Sequence, residues 1–407
     1  MLSWDNVFAT RSSRMKASEI RELLKLLDRP DIISFAGGIP DPALFPDQDF
    51  KAAYADMFSG SAVNSALQYS VSEGYRPLRE WLAGEMAKLD IACSAENVFI
   101  VSGSQQGLDY LGKLFLSPKD TALVTWPTYL GALQAFNAYE PSYDQLTPNG
   151  NRTPEAYRQT ATAAGGRVKF AYLSADFANP TGETVDRTGR ERLIDLAEEL
   201  DIAIIEDAAY QSLRYDGEAI PPILALELKR KGGNIEDTRT IYCGSFSKTL
   251  APGLRVGFIV ANSQVIRKLV LMKQAADLHS STINQMAIAQ VAERDFDAQV
   301  AKIRNAYRHR RDCMLAALAR YMPEGVRWTK PEGGMFVWVT LPKGMDGARL
   351  LAKSIETEKV AFVPGQAFHA DGSGANTLRI SFSCADEQMI EAGISRLGKL
   401  VAREIGA

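Results

Sequence analysis

The chain has 407 residues, of which 46% are hydrophobic and 23% charged; that length predicts two or three structural units and that composition an ordinary globular protein. A net charge of −3 gives no broad basic surface for nucleic acid or an anionic membrane. The four cysteines form no CxxC pair and the three histidines are scattered, which argues against a disulfide framework or a metal site and fits reduced thiols in the cytoplasm.

Residues 1–16 lack the unbroken apolar stretch of a secretory leader. Residues 18–27, SEIRELLKLL, pattern as a helix with Ser18 at its N-cap and Pro30 soon after its end. In IISFAGGIPDPALFP, which follows, Gly37 and Gly38 allow a close backbone approach or positive φ, or simply a turn. Residues 67–83, LQYSVSEGYRPLREWLA, read as a loop carrying Tyr69 into a helix that opens near Pro77. Residues 97–116 pass from a buried strand through GSQQG, which holds Ser104 and Gln105, into a helix with Leu108, Leu111, Leu114 and Phe115 apolar. A Gly/Ser turn opening a helix directs free N–H groups and the positive dipole end at one point, which suits a phosphate. Any strand-to-helix turn can share that form. Residues 121–139 are uncharged and approach the ~20 residues of a membrane span. Pro127 and several polar residues interrupt them, so strand, turn and helix is the better reading, with Tyr129 just past the strand.

VKFAYL (168–173) reads as a strand, FANPTG as a turn holding Asn179, and residues 188–200 as a helix with Leu193, Leu196, Ala197 and Leu200 on one face. IAIIED (202–207) is a short buried strand ending in Asp207, with Tyr210 just beyond. Strand, helix, strand of this length is a βαβ unit, and α/β proteins bind ligands at the carboxyl ends of such strands. A carboxylate closing an apolar strand is costly unless it meets a cation. Residues 240–260, TIYCGSFSKTLAPGLRVGFIV, read as strand, Ser-rich loop and strand, with Ser245, Lys248 and Arg255 in or beside the loop. An amine between buried strands must be paired or lose its charge; the alternative is an exposed loop with two solvated cations.

Residues 297–321 pattern as a helix whose apolar stripe is Val300, Ile303, Tyr307, Met314, Leu315 and Leu318. Arg304, Arg308, Arg310 and Arg311 beside it read as a solvated face, with a basic patch as the alternative. PEGGMFVWVTLP, VAFVPGQAF and TLRISFS then read as three strands of a smaller α+β unit. In the last, Leu378, Ile380 and Phe382 share one face, so Arg379 and Ser381 point the other way. A planar, permanently charged guanidinium held on a strand suits a carboxylate.

The string SFSKTLAPGLRVGF resembles the Schiff-base lysine segment of fold-type I pyridoxal-phosphate (PLP) enzymes, the aspartate aminotransferase superfamily. The AGG.P…FP string resembles that of the aminoadipate, kynurenine and broad-specificity aminotransferase branch, and the likeness runs in order from Gly37 to Arg379. It implies the α/β fold of type I: a large, mostly parallel unit (46–296) and a smaller α+β unit formed by both termini, 297–407 with the arm 1–45. It further implies pyridoxal 5'-phosphate on Lys248, its phosphate held by Ser104, Gln105, Ser245 and Arg255. Tyr69 would reach the partner's cofactor phosphate in a homodimer. The ring would stack on Tyr129, with Asp207 at its nitrogen and Asn179 and Tyr210 at its hydroxyl. Arg379 would take the substrate α-carboxylate, Gly38 and Asn179 would line the substrate pocket, and Arg21 would meet the distal group.

The implied reaction is ping-pong transfer of the amino group of an L-amino acid (2-aminoadipate, aromatic or branched hydrophobic) to a 2-oxo acid such as 2-oxoglutarate, in the cytoplasm and without nucleic acid, membrane or metal. Lys248 would act as the acid and base. Ala175 and Ala178 stand where the family usually has a proline and a larger polar or aromatic residue, which alters the substrate wall. Two alternatives share the resemblance. A PLP lyase or decarboxylase would use the same cofactor residues, and a PLP-sensing regulator domain would follow a DNA-binding domain, for which few residues precede the AGG segment.

Overall fold

The computed structural model describes residues 4–15 and 31–406. The helix expected over 18–27, with Arg21, lies outside the described residues. Strand β1 (Ile33–Ser34) belongs to the part of the molecule built late in the chain. The main sheet is formed by β2 (Val98–Val101), β3 (Thr121–Thr125), β4 (Ser142–Leu146), β5 (Val168–Leu173), β6 (Ala203–Asp207), β7 (Thr240–Ser245) and β8 (Gly257–Val260). Their order across the sheet is β2-β8-β7-β6-β5-β3-β4. Among these pairings β8 alone is antiparallel to its neighbours β2 and β7, and the rest are parallel.

Both faces of this sheet are covered, so its inner strands are mostly apolar runs, while the edge strand β4, SYDQL, carries Ser142, Asp144 and Gln145. In β2, Phe99 and Val101 pack with Leu108 and Leu111 of the helix Ser104–Phe115. Val98 and Ile100 face the other way, onto Leu78 and Leu82 of the helix Arg76–Ala87 and Ile288. The βαβ unit expected around residue 190 forms with a helix over Arg187–Leu200, whose Leu193, Leu196 and Ala197 are buried and whose Leu200 is half-buried.

The smaller sheet contains β9 (Arg327–Trp328), β10 (Phe336–Thr340), β12 (Val363–Pro364) and β13 (Thr377–Ser381), all antiparallel in the order β12-β13-β10-β9. The stretch VAFVPGQAF is therefore not one strand. Its first two residues form β11 (Val360–Ala361), which pairs in parallel with β1, while Val363 and Pro364 pair with β13. Gly365–Phe368 then turns as a 3-10 helix, since Pro364 has no N–H with which to extend a ladder. Ile32, Phe35 and Ala36 share one core with Phe336, Ile380, Ile394 and Leu397, so chain from before the main sheet is built into this second part.

A helix over Thr282–Tyr321 joins the two parts. It begins earlier than the expected residue 297 and is broken at Asp295, where φ is −160° and ψ 43°. Ile288, Val291 and Ala292 before the kink pack in the core of the main sheet. Ile303, Tyr307, Met314 and Leu318 after it pack in the second core. Of the arginines on this second half, Arg304 and Arg308 are exposed, as a solvated face requires, whereas Arg310 is half-buried and Arg311 buried, and each of the four has a partner. Arg310 pairs with Asp41 at 2.6 Å, Arg308 and Arg311 with Asp216 at 2.6 and 2.5 Å, and Arg304 donates to the Ser212 carbonyl at 2.6 Å. Their partners come from segments remote in sequence, which the local periodicity of a helix does not register.

Candidate active site

The carboxyl ends of β5, β6 and β7 and the turn after β2 open on a cavity of about 350 Å³. It is lined by Lys248, Asp207, Tyr210 and Asn179, by Ser104, Gln105, Tyr129, Ser245 and Arg255, and by Gly38 and Arg379. Tyr69 is not among them; it is 79% exposed and stands edge-on to the His279 ring at 6.0 Å.

Lys248 follows β7 in the loop that reverses the chain into β8. Its Nζ donates to the Gly38 carbonyl at 2.8 Å and lies 5.8 Å above the Tyr210 ring. Desolvation, reinforced by the nearby Arg379 and Arg255 cations, brings its pKa down to about 8. Asp207 ends β6, 4% exposed. Burial pushes its pKa up, opposed by the Tyr172 hydroxyl, which donates to Oδ2 at 2.7 Å. Tyr172 lies in β5 beside β6 and is the residue that sequence reasoning missed. Inside a strand that is apolar apart from Lys169, its one polar atom carries no periodic signal.

Arg255 shows how closely the far end of the cavity is built. Gly103 has φ +80°, and a Cβ there would fall 2.3 Å from Arg255 Nη2, so the guanidinium packs directly on the glycine backbone. Gly103 is the N-cap of the helix Ser104–Phe115 and caps it with no side chain, leaving first-turn N–H groups for a ligand. Ser245 Oγ accepts from the Ser247 N–H at 3.1 Å and donates to Ser247 Oγ at 3.0 Å. Ser247, another residue not singled out from sequence, thus lines the same cup. Gln105 does not point a free amide into it: its Nε2 donates to the Gly131 carbonyl at 2.7 Å, and its Oε1 accepts from the Tyr129 hydroxyl at 3.4 Å.

Arg379 reaches the site from β13 and is 2% exposed. Nη1 donates to Asn179 Oδ1 and Nη2 to the Ala36 carbonyl, both at 2.8 Å, while Nε has no partner. The guanidinium lies 4.3 Å from the Phe336 ring centroid, and burial pulls its pKa down to about 10. Asn179 Nδ2 donates in turn to the Tyr210 hydroxyl at 3.5 Å.

The donor set defines the chemistry open to the cavity. A cation and a bare helix end at one extreme suit a phosphate, and a buried carboxylate at the other suits a protonated heterocycle. A desolvated amine between them suits a carbonyl carbon, and a buried guanidinium with a free Nε–H suits a carboxylate. Among the described residues no cluster of metal-ligating side chains forms.

The chain belongs to the aminotransferase class I and II family, whose model matches residues 31–397, and it is an enzyme of that class. It is 42% identical to aromatic-amino-acid aminotransferase 1 of Thermococcus litoralis, covering 99% of this chain and 96% of the relative. It is 43% identical to 2-aminoadipate transaminase of Thermus thermophilus, over 98% and 97% of the two chains. Among solved structures, the α-aminoadipate aminotransferase of Thermus thermophilus, complexed with N-(5'-phosphopyridoxyl)-L-leucine, superposes with a TM-score of 0.88 at 40% identity over 100% of both chains.

Proposed function

We propose that this aminotransferase uses pyridoxal 5'-phosphate on Lys248 to move the amino group of 2-aminoadipate, an aromatic or a branched hydrophobic L-amino acid to a 2-oxo acid such as 2-oxoglutarate. The observation that carries this is the amine of Lys248, desolvated to a pKa of about 8 in a cavity that also holds Asp207, Arg255 and Arg379. The relatives' substrates support the amino-acid classes named, and the phosphopyridoxyl adduct in the Thermus enzyme supports the cofactor.

When bound, pyridoxal phosphate supplies an aldehyde for covalent capture of an amine and a ring that accepts the electron pair left as Cα loses its proton. This chain's residues do the rest. The Lys248 amine would hold the cofactor and, when free, would carry a proton to and from the substrate Cα; such general acid–base help contributes ~10²–10⁴-fold. Asp207, held by Tyr172, would favour a proton on the ring nitrogen. Asn179 and Tyr210 would serve the ring hydroxyl, and Tyr129 would stack on the ring; all three line the cavity. Arg255, Ser245 and Ser104 would take the phosphate with the helix N-terminus, Gln105 through its backbone N–H because its side chain is engaged by Gly131 and Tyr129. Arg379 binds the substrate carboxylate through Nε and its remaining N–H groups, with Gly38 and Asn179 along the same wall. Arg21 is assigned to the substrate's distal group on the resemblance alone.

We also propose a homodimer in the cytoplasm, with Tyr69 directed at the partner's cofactor phosphate. Support comes from the exposure of Tyr69, Leu67 and Val71 at 79%, 68% and 55%, more apolar surface than one short segment ordinarily leaves in water. The four cysteines are unpaired, as in a reducing compartment. No helix among the described residues is long and apolar enough to cross a membrane.

Borohydride reduction of the purified protein, followed by peptide mapping, is expected to place a phosphopyridoxyl mass on Lys248. Each L-amino acid is then added to that form, and the absorbance of the bound aldehyde is followed; loss is expected with the classes above, and formation of a second amino acid from 2-oxoglutarate separates transamination from a lyase. Lys248→Ala is expected to keep the cofactor non-covalently and to lose nearly all turnover. A colourless protein with no modified peptide would overturn the assignment.

A further inference from the structure

Behind the turn at Gly103 lies a buried cation that the reaction does not use. Lys273, in the helix Ser263–Ala276, is 0% exposed. Its Nζ donates to Asp277 Oδ1 and Oδ2 at 3.0 and 3.1 Å and to Gln106 Oε1 at 2.8 Å. Gln106 Nε2 donates to Asp277 Oδ2 at 2.7 Å, and the Tyr110 hydroxyl to Asp277 Oδ1 at 3.3 Å. A desolvated ammonium is costly, and a buried ion pair, here between Lys273 and the C-cap residue of its own helix, is on average no better than apolar packing. What sets this pair apart is where its third contact leads.

Gln106 Oε1 accepts two hydrogen bonds. One comes from Lys273 and the other, also 2.8 Å, from the backbone N–H of Ser102. Ser102 immediately precedes Gly103, the left-handed residue on which Arg255 packs. The Ser102 hydroxyl is held from the same side, 3.1 Å from Ser280 Oγ. An amide oxygen engaged by an ammonium is polarised and accepts a second bond more strongly. Its other end, Nε2, is fixed on Asp277, so the side chain cannot flip to offer a donor to Ser102.

We propose that Lys273, acting through Gln106, is a positioning residue for the phosphate: it fixes the Ser102–Gly103 peptide so that the first-turn N–H groups of Ser104 and Gln105 and the Arg255 guanidinium converge on one point. This rests on the cofactor reading above. Lys273 does not itself touch the cofactor. Its role is to hold the anion cup in shape before the anion arrives, the kind of preorganisation that outer residues give to a bound ion's direct ligands.

The experiment compares two aldehydes on the cofactor-free full-length protein: pyridoxal phosphate, and pyridoxal, which can react with Lys248 but has no phosphate. Affinity for each is read from the absorbance of the bound aldehyde. In Lys273→Met, affinity for pyridoxal phosphate is expected to fall by about tenfold or more and affinity for pyridoxal to change by less than about twofold. Equal losses for both would show a merely structural role and overturn the proposal, as would no loss for either. If Lys273→Met does not accumulate folded, Gln106→Met, which retains the Lys273–Asp277 pair, is read by the same ratio and the same criteria. A wild-type protein that captures neither aldehyde would remove the cofactor reading, and this inference with it; a wild type that captures both, beside a variant with no phosphate-selective loss, removes the inference alone.

Discussion

Lys248 illustrates what burial does to a reactive group. A solvated lysine amine, with a pKa near 10.5, is neutral in roughly one molecule in three thousand at pH 7, whereas a pKa of about 8 leaves roughly one in ten neutral. Only the neutral amine attacks an aldehyde. The sign follows: the rate at which the cofactor-free protein captures pyridoxal phosphate is expected to rise about tenfold per pH unit below pH 8 and to level off above it. Stopped-flow absorbance between pH 6 and pH 10 checks this, and a rise continuing to pH 10 would mean that the amine is not desolvated. At this scale the sequence was informative where a charged residue stood among apolar neighbours, as Asp207 does at the end of β6, Lys248 in the loop after β7 and Arg379 in the middle of β13. It was silent on Tyr172, because that hydroxyl sits on a β5 side chain as buried as its neighbour Phe170. Only the pairing of β5 with β6 brings it to Asp207.

Elements with a strong local period were legible, and those defined by a partner were not. VKFAYL forms a strand over the expected residues, Val168–Leu173, because an apolar run bounded by turn residues needs no distant information. The fate of VAFVPGQAF depends on β1 capturing Val360 and Ala361, a contact that no window of that length contains. The joining helix is the same case, since Arg311 reads as solvated until Asp216 is placed beside it. Arg311 is 5% exposed and also donates to the Pro331 carbonyl at 2.7 Å. Removing one partner of a buried pair costs 3–5 kcal/mol, but Asp216 is partly exposed and keeps Arg308, so Arg311→Met is expected to cost about 2 kcal/mol. A urea midpoint unchanged from wild type would show that the contact contributes nothing net.

For the whole molecule, the two-part architecture follows from where apolar residues find cover, and the helix over Thr282–Tyr321 passes from one core to the other at the Asp295 kink. Sedimentation equilibrium is expected to return twice the 44.6 kDa chain mass, and Tyr69→Ala to weaken affinity for pyridoxal phosphate while Lys248 still reacts. A monomer at micromolar concentration would remove Tyr69 from the site.

The reversal of one strand has a consequence for how such an enzyme works through many cycles. Because β8 runs against β7, Lys248 and Arg255 stand within one hairpin, and Gly257 at its far side abuts the Ser104 amide, where a Cβ would come within 2.7 Å. On the proposed reading, retention of the cofactor would fall to this hairpin and the helix end it abuts. On the same reading, admission of the amino acid would depend on Arg379, which arrives from the other sheet. A change of angle between the two parts would reset the grip on the transient guest and leave the permanent one undisturbed, so turnover need not risk losing the cofactor.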